Sequence, residues 1–165
     1  MVTVAVIAVV AGLAVPSFAS LIRSSRLTSS ANEMVAMLQT ARSAAITSRA
    51  NATVCPSING TACAAALGNR WIVLATKNAA STVLRDSTFP ATVTVTASPN
   101  LAAASNTFTF TPAGFSSAGG STGGAIGLCA PNLPGSNGID VSANVGRIST
   151  ARRDATSACT DPADN

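Results

Sequence analysis

The chain has 165 residues, the size of one domain, and a formal net charge of +4 at pH 7. It contains no histidine, which excludes histidine-dependent catalytic triads and zinc sites. Its six acidic residues are scattered along the chain, which disfavours a calcium cage and offers no local motif for a paired-carboxylate glycosidase. We therefore expect no cofactor, no small-molecule substrate and no enzymatic activity.

The first predicted element is apolar. Met1 to Val15 is interrupted only by Thr3 and Gly12. As a helix these residues rise about 22 Å, less than the ~30 Å thickness of a bilayer's hydrocarbon core. A cleaved secretory signal peptide is an alternative, although no basic stretch precedes the run and the helical pattern continues beyond it.

The helical pattern then becomes amphipathic. One stripe of apolar residues follows the 3.6-residue period of a helix, and basic residues lie mostly on the other faces: the stripe is Leu27, Met34, Leu38, Ala41 and Ala45. The pattern predicts one long helix over residues 1–52, apolar over 1–22 and amphipathic over 23–52. Pro16 removes a backbone hydrogen bond, so we expect a kink or a local opening near Gly12 and Pro16.

Residues 53–165 form a predicted β-rich domain. Short runs of β-forming residues alternate with turn residues, and the predicted strands are Thr53–Cys55, Arg70–Ala75, Thr82–Arg85, Ala91–Ala97, Thr107–Thr111, Ala125–Cys129, Gly138–Val141 and Arg147–Thr150. We expect Ser116–Gly124 to be a mobile loop, and the tail after Arg153 to lack regular structure. The predicted fold class is α+β, with the long helix packed on an antiparallel sheet or sandwich.

Four cysteines suggest an oxidising compartment, because an even number in a loop-rich chain is typical of disulfides. Three pairings are open. We favour Cys55–Cys63 and Cys129–Cys159, since each closes a turn-rich segment and the second would tie down the C-terminal region. Four buried, reduced thiols remain the alternative.

Several segments together resemble a known family. The stretch Met1–Pro16 is similar to the N-terminal segment of type IV pilins, with Gly12 and Pro16 at the family's helix-breaking positions. Further motifs resemble the GspH/FimT branch in its order: A-R-S-A-A-I at Ala41–Ile46, V-C-P-S-I-N-G-T-A-C at Val54–Cys63, R-W-I-V-L at Arg70–Leu74, F-T-P-A-G-F at Phe110–Phe115, L-C-A-P at Leu128–Pro131 and V-G-R-I at Val145–Ile148. In the A-R-S-A-A-I motif, this chain has Ala44 at a position where the family usually has glutamate.

This resemblance implies a pilin fold and a structural subunit of a type IV pilus-like filament, a minor pilin acting in assembly or at the tip. It implies other pilin subunits as partners through the N-terminal helix, with Gly12 and Pro16 as the assembly hinge. Before assembly the helix would lie in the inner membrane. After assembly the subunit would be part of an extracellular or periplasmic filament. The family's assembly glutamate and short leader would precede Met1. A minor pseudopilin of type II secretion is an alternative.

A further alternative is DNA uptake. Between Asp140 and Asp154 the chain carries three arginines and no acidic residue: Arg147, Arg152 and Arg153. Some FimT-like pilins bind DNA through a Gly-Arg-x-Arg element near the C-terminus, of which Gly146-Arg147 matches the first half. If one surface carried all three arginines, they would form a DNA-binding site. A solvated basic face or a subunit contact would account for them equally.

Overall fold

The fold consists of one long helix and two antiparallel sheets. The computed structural model describes residues 2–78 and 80–164, with side chains from residue 18 onward. In chain order the elements are α1 (Val2–Ser48), β1 (Asn51–Pro56), β2 (Arg70–Lys77), β3 (Ala80–Thr88), β4 (Thr94–Ala97), α2 (Pro99–Ala103), β5 (Phe108–Phe110), β6 (Ser116–Ser117), β7 (Gly123–Cys129), β8 (Gly138–Asn144) and β9 (Arg147–Arg153). The predicted α+β class with one long N-terminal helix is confirmed.

The two sheets divide the strands almost in chain order. The first sheet has the order β3-β2-β1-β5-β6 and the second has the order β4-β7-β8-β9. Each pair of neighbouring strands is antiparallel. Helix α1 contacts β1 and β2 of the first sheet and β8 of the second. We call the two sheets, α2 and the part of α1 that packs on them the head.

The apolar stripe predicted from the sequence is the side of α1 that packs on the sheets. Its five members are fully buried: Leu27, Met34, Leu38, Ala41 and Ala45. They share one core with Trp71, Phe108 and Phe110, and the Trp71 indole donates a hydrogen bond of 2.9 Å to the carbonyl of Gly68. Burying each large apolar side chain contributes about 1.5–3 kcal/mol, so this interface contributes substantially to the head's stability.

Helix α1 ends at Ser48, four residues before the predicted end. Arg49 has φ 50°, in the left-handed region, and the N–H of Ala50 donates to the carbonyl of Ala45 at 3.3 Å. This is the hydrogen bond of a Schellman motif, which satisfies carbonyls that a helix end leaves open. Arginine here occupies the position that glycine usually takes. The chain therefore reverses at once, and β1 begins at Asn51.

The strands predicted from the sequence are all present, but the predicted loop Ser116–Gly124 is wrong. Ser116–Ser117 form β6, Ala118 and Ser121 exchange two hydrogen bonds of 3.0 Å, and Gly123 begins β7. Helix α2 was not predicted either. A Cβ added to Gly124 would lie 3.2 Å from the Cβ atoms of both Ala118 and Leu101. The glycine that suggested a loop instead permits close packing of α2 and the β6 region against β7.

Candidate functional site

The assembly hinge predicted at Gly12 and Pro16 falls in the first part of α1. The backbone is helical from Val2 onward, and the side chains of residues 2–17 lie outside those that the structure describes. The hinge stays a prediction. Among the described residues, no helix combines the length and hydropathy needed to cross a membrane.

The first described side chains of α1 include three exposed apolar ones. Phe18 is 66% exposed, Leu21 is 63% exposed and Ile22 is 41% exposed. They lie before Leu27, where the buried stripe begins. They form an apolar surface that the head leaves uncovered. Exposing side chains of this size to water is unfavourable.

Polar contacts from both sheets hold α1 where it enters the head. Glu33 accepts two hydrogen bonds from Arg85 on β3, at 3.0 and 2.8 Å. Arg152 on β9 donates to the Thr28 hydroxyl at 2.9 Å. Arg23 donates to the carbonyl of Asn132, after β7, also at 2.9 Å. The helix is therefore fixed to the head at successive turns.

The three arginines proposed for DNA binding do not share one surface. Successive side chains of a strand point to opposite faces, so Arg152 points toward α1, while Arg147 and Arg153 lie on the other face of β9. Arg147 is exposed, whereas Arg153 forms an ion pair with Asp140. The condition stated for a DNA-binding site, one surface carrying all three arginines, is therefore not met. DNA binding by this chain stays a prediction.

Arg153 is part of the structure of the tail. Its Nε atom donates to both carboxylate oxygens of Asp140, at 2.8 and 2.7 Å, and its Nη1 donates to the Thr160 hydroxyl at 2.9 Å. Nη2 also donates to the Thr160 carbonyl. The arginine thus joins β8 to the tail that follows β9, which is a structural role.

The disulfides have the pairing favoured from the sequence. Cys55 joins Cys63 and Cys129 joins Cys159, with Cα–Cα distances of 5.5 and 5.7 Å. The second disulfide fastens the tail to the outer face of the second sheet, the face turned away from α1. Asn137 adds to this by accepting from the Ala155 N–H at 2.8 Å and donating to the Thr156 carbonyl at 2.7 Å. The irregular tail is therefore tightly held.

A patch of exposed apolar side chains, not grouped by the sequence, lies at the end of the head near the C-terminus of α1. We call Ile46, Phe115 and Val145 the distal patch; they are 46%, 53% and 55% exposed. Two glycines bring their elements together. A Cβ on Gly114 would lie 3.0 Å from Ile46 Cδ1, and one on Gly146 would lie 3.7 Å from Phe115 Cδ1. Each member lies in a motif singled out from the sequence, A-R-S-A-A-I, F-T-P-A-G-F or V-G-R-I, but the meeting of the three motifs depends on the fold.

The described residues contain no candidate metal centre. Within residues 2–78 and 80–164, no group of three or more His, Cys, Asp or Glu side chains could hold a metal ion. An electrostatic effect on one carboxylate is visible in the first sheet. The guanidinium of Arg70 hydrogen-bonds to Asp86 and lowers the pKa of that carboxyl group. Both residues lie on neighbouring strands of the first sheet, and the ion pair is partly exposed.

The comparisons with known proteins agree with this architecture. Two crystal structures of the Pseudomonas aeruginosa type IV minor pilin FimU, in different crystal forms, are similar in fold. The first is 24% identical, with a TM-score of 0.56, and the match covers 78% of this chain and 90% of that one. The second is 23% identical, with a TM-score of 0.54, and covers 75% and 91%. No curated protein sequence gives a significant match.

A family match covers more than half of the chain. Residues 30–146 match the family described as type II transport protein GspH. The matched range begins within the buried stripe of α1 and continues through both sheets to the turn between β8 and β9. The chain therefore belongs to the GspH family and has the fold of a type IV pilin.

Proposed function

We propose that the chain is a structural subunit of a type IV pilus-like filament, a minor pilin that acts in assembly or at the tip. Its partners are other pilin subunits, which pack against the N-terminal part of α1. Before assembly that part of α1 lies in the inner membrane, and afterwards it lies inside an extracellular or periplasmic filament. No catalytic step is part of this function.

One observation carries the proposal. Helix α1 is covered by the head from Leu27 to Ala45, yet Phe18, Leu21 and Ile22 are exposed immediately before it. Apolar surface that a subunit leaves open is a mark of association with a membrane or with other subunits. A filament of parallel helices offers such cover to each copy, because neighbouring helices bury one another's apolar faces.

Family membership also favours a second candidate. The matched family is described as a type II transport protein, so a minor pseudopilin of a type II secretion system is supported as well. The two candidates share the same subunit chemistry and differ in the machine they serve. A strain lacking this chain would lose surface pili in the first case and secretion of folded exoproteins in the second.

The experiment uses the full chain expressed in that deletion strain. Leu21→Asp places a charge on the exposed part of α1, and Ile58→Asp is the matched control at a loop residue that is 83% exposed. Burying an unpaired carboxylate costs several kcal/mol, so we expect incorporation into sheared filaments to fall at least ~100-fold for the first variant. The control should assemble normally. Normal assembly of Leu21→Asp would refute the proposal.

A further inference from the structure

A cavity lies where α1 enters the head, between the helix and the C-terminal end of β3. It has a volume of about 280 Å³, and its polar lining consists of Arg26, Ser29, Ser30 and Glu33 from α1 with Ser87 and Thr88 from β3. The lining therefore combines one guanidinium, one carboxylate and four hydroxyl groups.

The positive charge of this lining is not neutralised within the chain. Glu33 accepts hydrogen bonds from Arg85 at 3.0 and 2.8 Å, so an arginine outside the lining already balances its charge. Asp86, the other carboxylate of this part of β3, is paired with Arg70. Arg26 is exposed and forms no ion pair within the described residues. The cavity is therefore suited to an anion.

Three of the hydroxyl groups make no hydrogen bond within the described residues. Ser30 donates to the carbonyl of Arg26 at 2.9 Å, whereas within residues 2–78 and 80–164 the hydroxyls of Ser29, Ser87 and Thr88 have no partner. A guanidinium together with hydroxyl groups is a donor set that proteins use to bind phosphate. The cavity thus offers convergent donors to a phosphate group.

The side of α1 that faces the cavity is apolar before it. Phe18, Ile22, Arg26, Ser29 and Glu33 are four, four, three and four residues apart, so they lie on one side of the helix. Phe18 and Ile22 are exposed. Arg26 follows Ile22 by about 6 Å along the axis, and each headgroup layer of a bilayer is ~5–8 Å thick. With Ile22 at hydrocarbon depth, Arg26 lies at the depth of the lipid phosphates.

We propose that this cavity binds the phosphate of an anionic phospholipid, with an acyl chain of the same lipid against Phe18 and Ile22. A free phosphate ion would match the cavity but not the apolar side chains. A zwitterionic choline headgroup would place a second cation beside Arg26, which is unfavourable. The inference rests on the membrane step of the proposed function and names the lipid that the subunit takes there. The bound lipid keeps the base of the head at the membrane surface until the helix is withdrawn.

Thermal unfolding of the purified full chain in a mild uncharged detergent tests this binding. Dioleoylphosphatidylglycerol at ~100 times its dissociation constant should raise the melting temperature by about 5–10 °C. Dioleoylphosphatidylcholine should raise it much less. Glycerol 3-phosphate, which has the phosphate without acyl chains, should leave it unchanged. No shift with phosphatidylglycerol, or an equal shift with either of the other two compounds, would overturn the inference.

Paired variants locate the binding site. Arg26→Gln with Ser29→Ala removes two of the proposed donors, so the affinity for phosphatidylglycerol should fall at least ~tenfold. The melting temperature without lipid should stay nearly unchanged, because both side chains are exposed. Arg42→Gln with Ser43→Ala makes the same chemical changes further along α1 and should bind as the unaltered chain does. Undiminished affinity in the first variant, or an equal loss in both, would contradict binding in this cavity.

Sheared filaments separate this inference from the proposed function. Absence of the chain from them, with the preference for phosphatidylglycerol intact, would refute the filament function alone. Presence of the chain in filaments without that preference would refute the lipid inference alone.

Discussion

The two described parts of α1 differ in what covers their apolar side chains. From Leu27 to Ala45 the stripe is buried against two sheets, whereas Phe18, Leu21 and Ile22 are open to solvent. Both parts lie in one continuous helix and obey the same backbone rules. The difference shows that an apolar residue on this helix is buried where the sheets reach it. The proposed function assigns association to the apolar residues that the sheets do not reach.

The largest expected effect comes from truncating one leucine on each side of that boundary. Leu38→Ala removes a fully buried side chain and should lower the free energy of unfolding by about 2–5 kcal/mol. Leu21→Ala should change it by less than about 0.5 kcal/mol, because the side chain is exposed. Denaturant unfolding of the purified full chain in mild detergent measures both. Equal losses would mean that residue 21 is covered within the monomer.

The second sheet offers another comparison of covered and uncovered surface. The C-terminal tail covers the outer face of this sheet, which would otherwise be exposed to solvent. Replacing Cys129 and Cys159 by serine opens a longer loop than replacing Cys55 and Cys63. In the loop-entropy account, the losses are about 3.7 and about 2.6 kcal/mol. Thermal unfolding without reductant should therefore rank the tail disulfide as the more stabilising. The reverse order would indicate that the tail contributes little to the head.

Arg147 and Arg153 lie on the same face of β9, but Arg153 forms an ion pair with Asp140, whereas Arg147 is exposed. Arg153→Gln leaves the Asp140 carboxylate, which is mostly buried, without its ion pair, and should cost about 1.5–3 kcal/mol. Arg147→Gln removes an exposed charge and should change stability by less than about 0.5 kcal/mol. Chemical denaturation of the two variants checks this. A large loss for Arg147→Gln would show that the distal arginine also supports the fold.

The smallest expected effect concerns an ion pair at the surface. Arg70 lowers the pKa of Asp86 in the folded chain, so the pair stabilises the fold when the pH is above the unfolded pKa of about 3.9. That contribution is lost as the pH falls below this value and through the lowered folded pKa. Asp86→Asn should therefore flatten the decline in melting temperature below about pH 4 and leave the rest of the curve almost unchanged. An identical acid limb in both proteins would show that the pair does not contribute.

The sequence was sufficient to predict the parts of the fold that have a periodic pattern of apolar residues. The stripe from Leu27 to Ala45 follows the helical repeat, and the strands follow alternation or short apolar runs. It was insufficient for β6 and α2, whose residues are mostly small or polar. There, backbone pairing and close approach to Gly124 decide the structure, and neither leaves a periodic signal.

The arginines of β9 could have been placed better. The predicted strand ended at Thr150, so Arg152 and Arg153 lay outside it. Had the strand been extended to Arg153, the two neighbours would have been expected on opposite faces. The distal patch could not have been inferred in this way. Ile46, Phe115 and Val145 come from three distant parts of the chain and meet only through the tertiary fold.

The long contact between α1 and the head has a mechanical consequence. The buried stripe from Leu27 to Ala45 extends about 27 Å along the helix axis, and both sheets contact it. In the proposed filament, an axial force would pull each subunit through its helix and so load this interface in shear. Contacts arranged in parallel along the pulling direction share the load and fail together, whereas contacts peeled from one end fail in turn. We therefore expect the head to resist axial tension better than its modest size suggests.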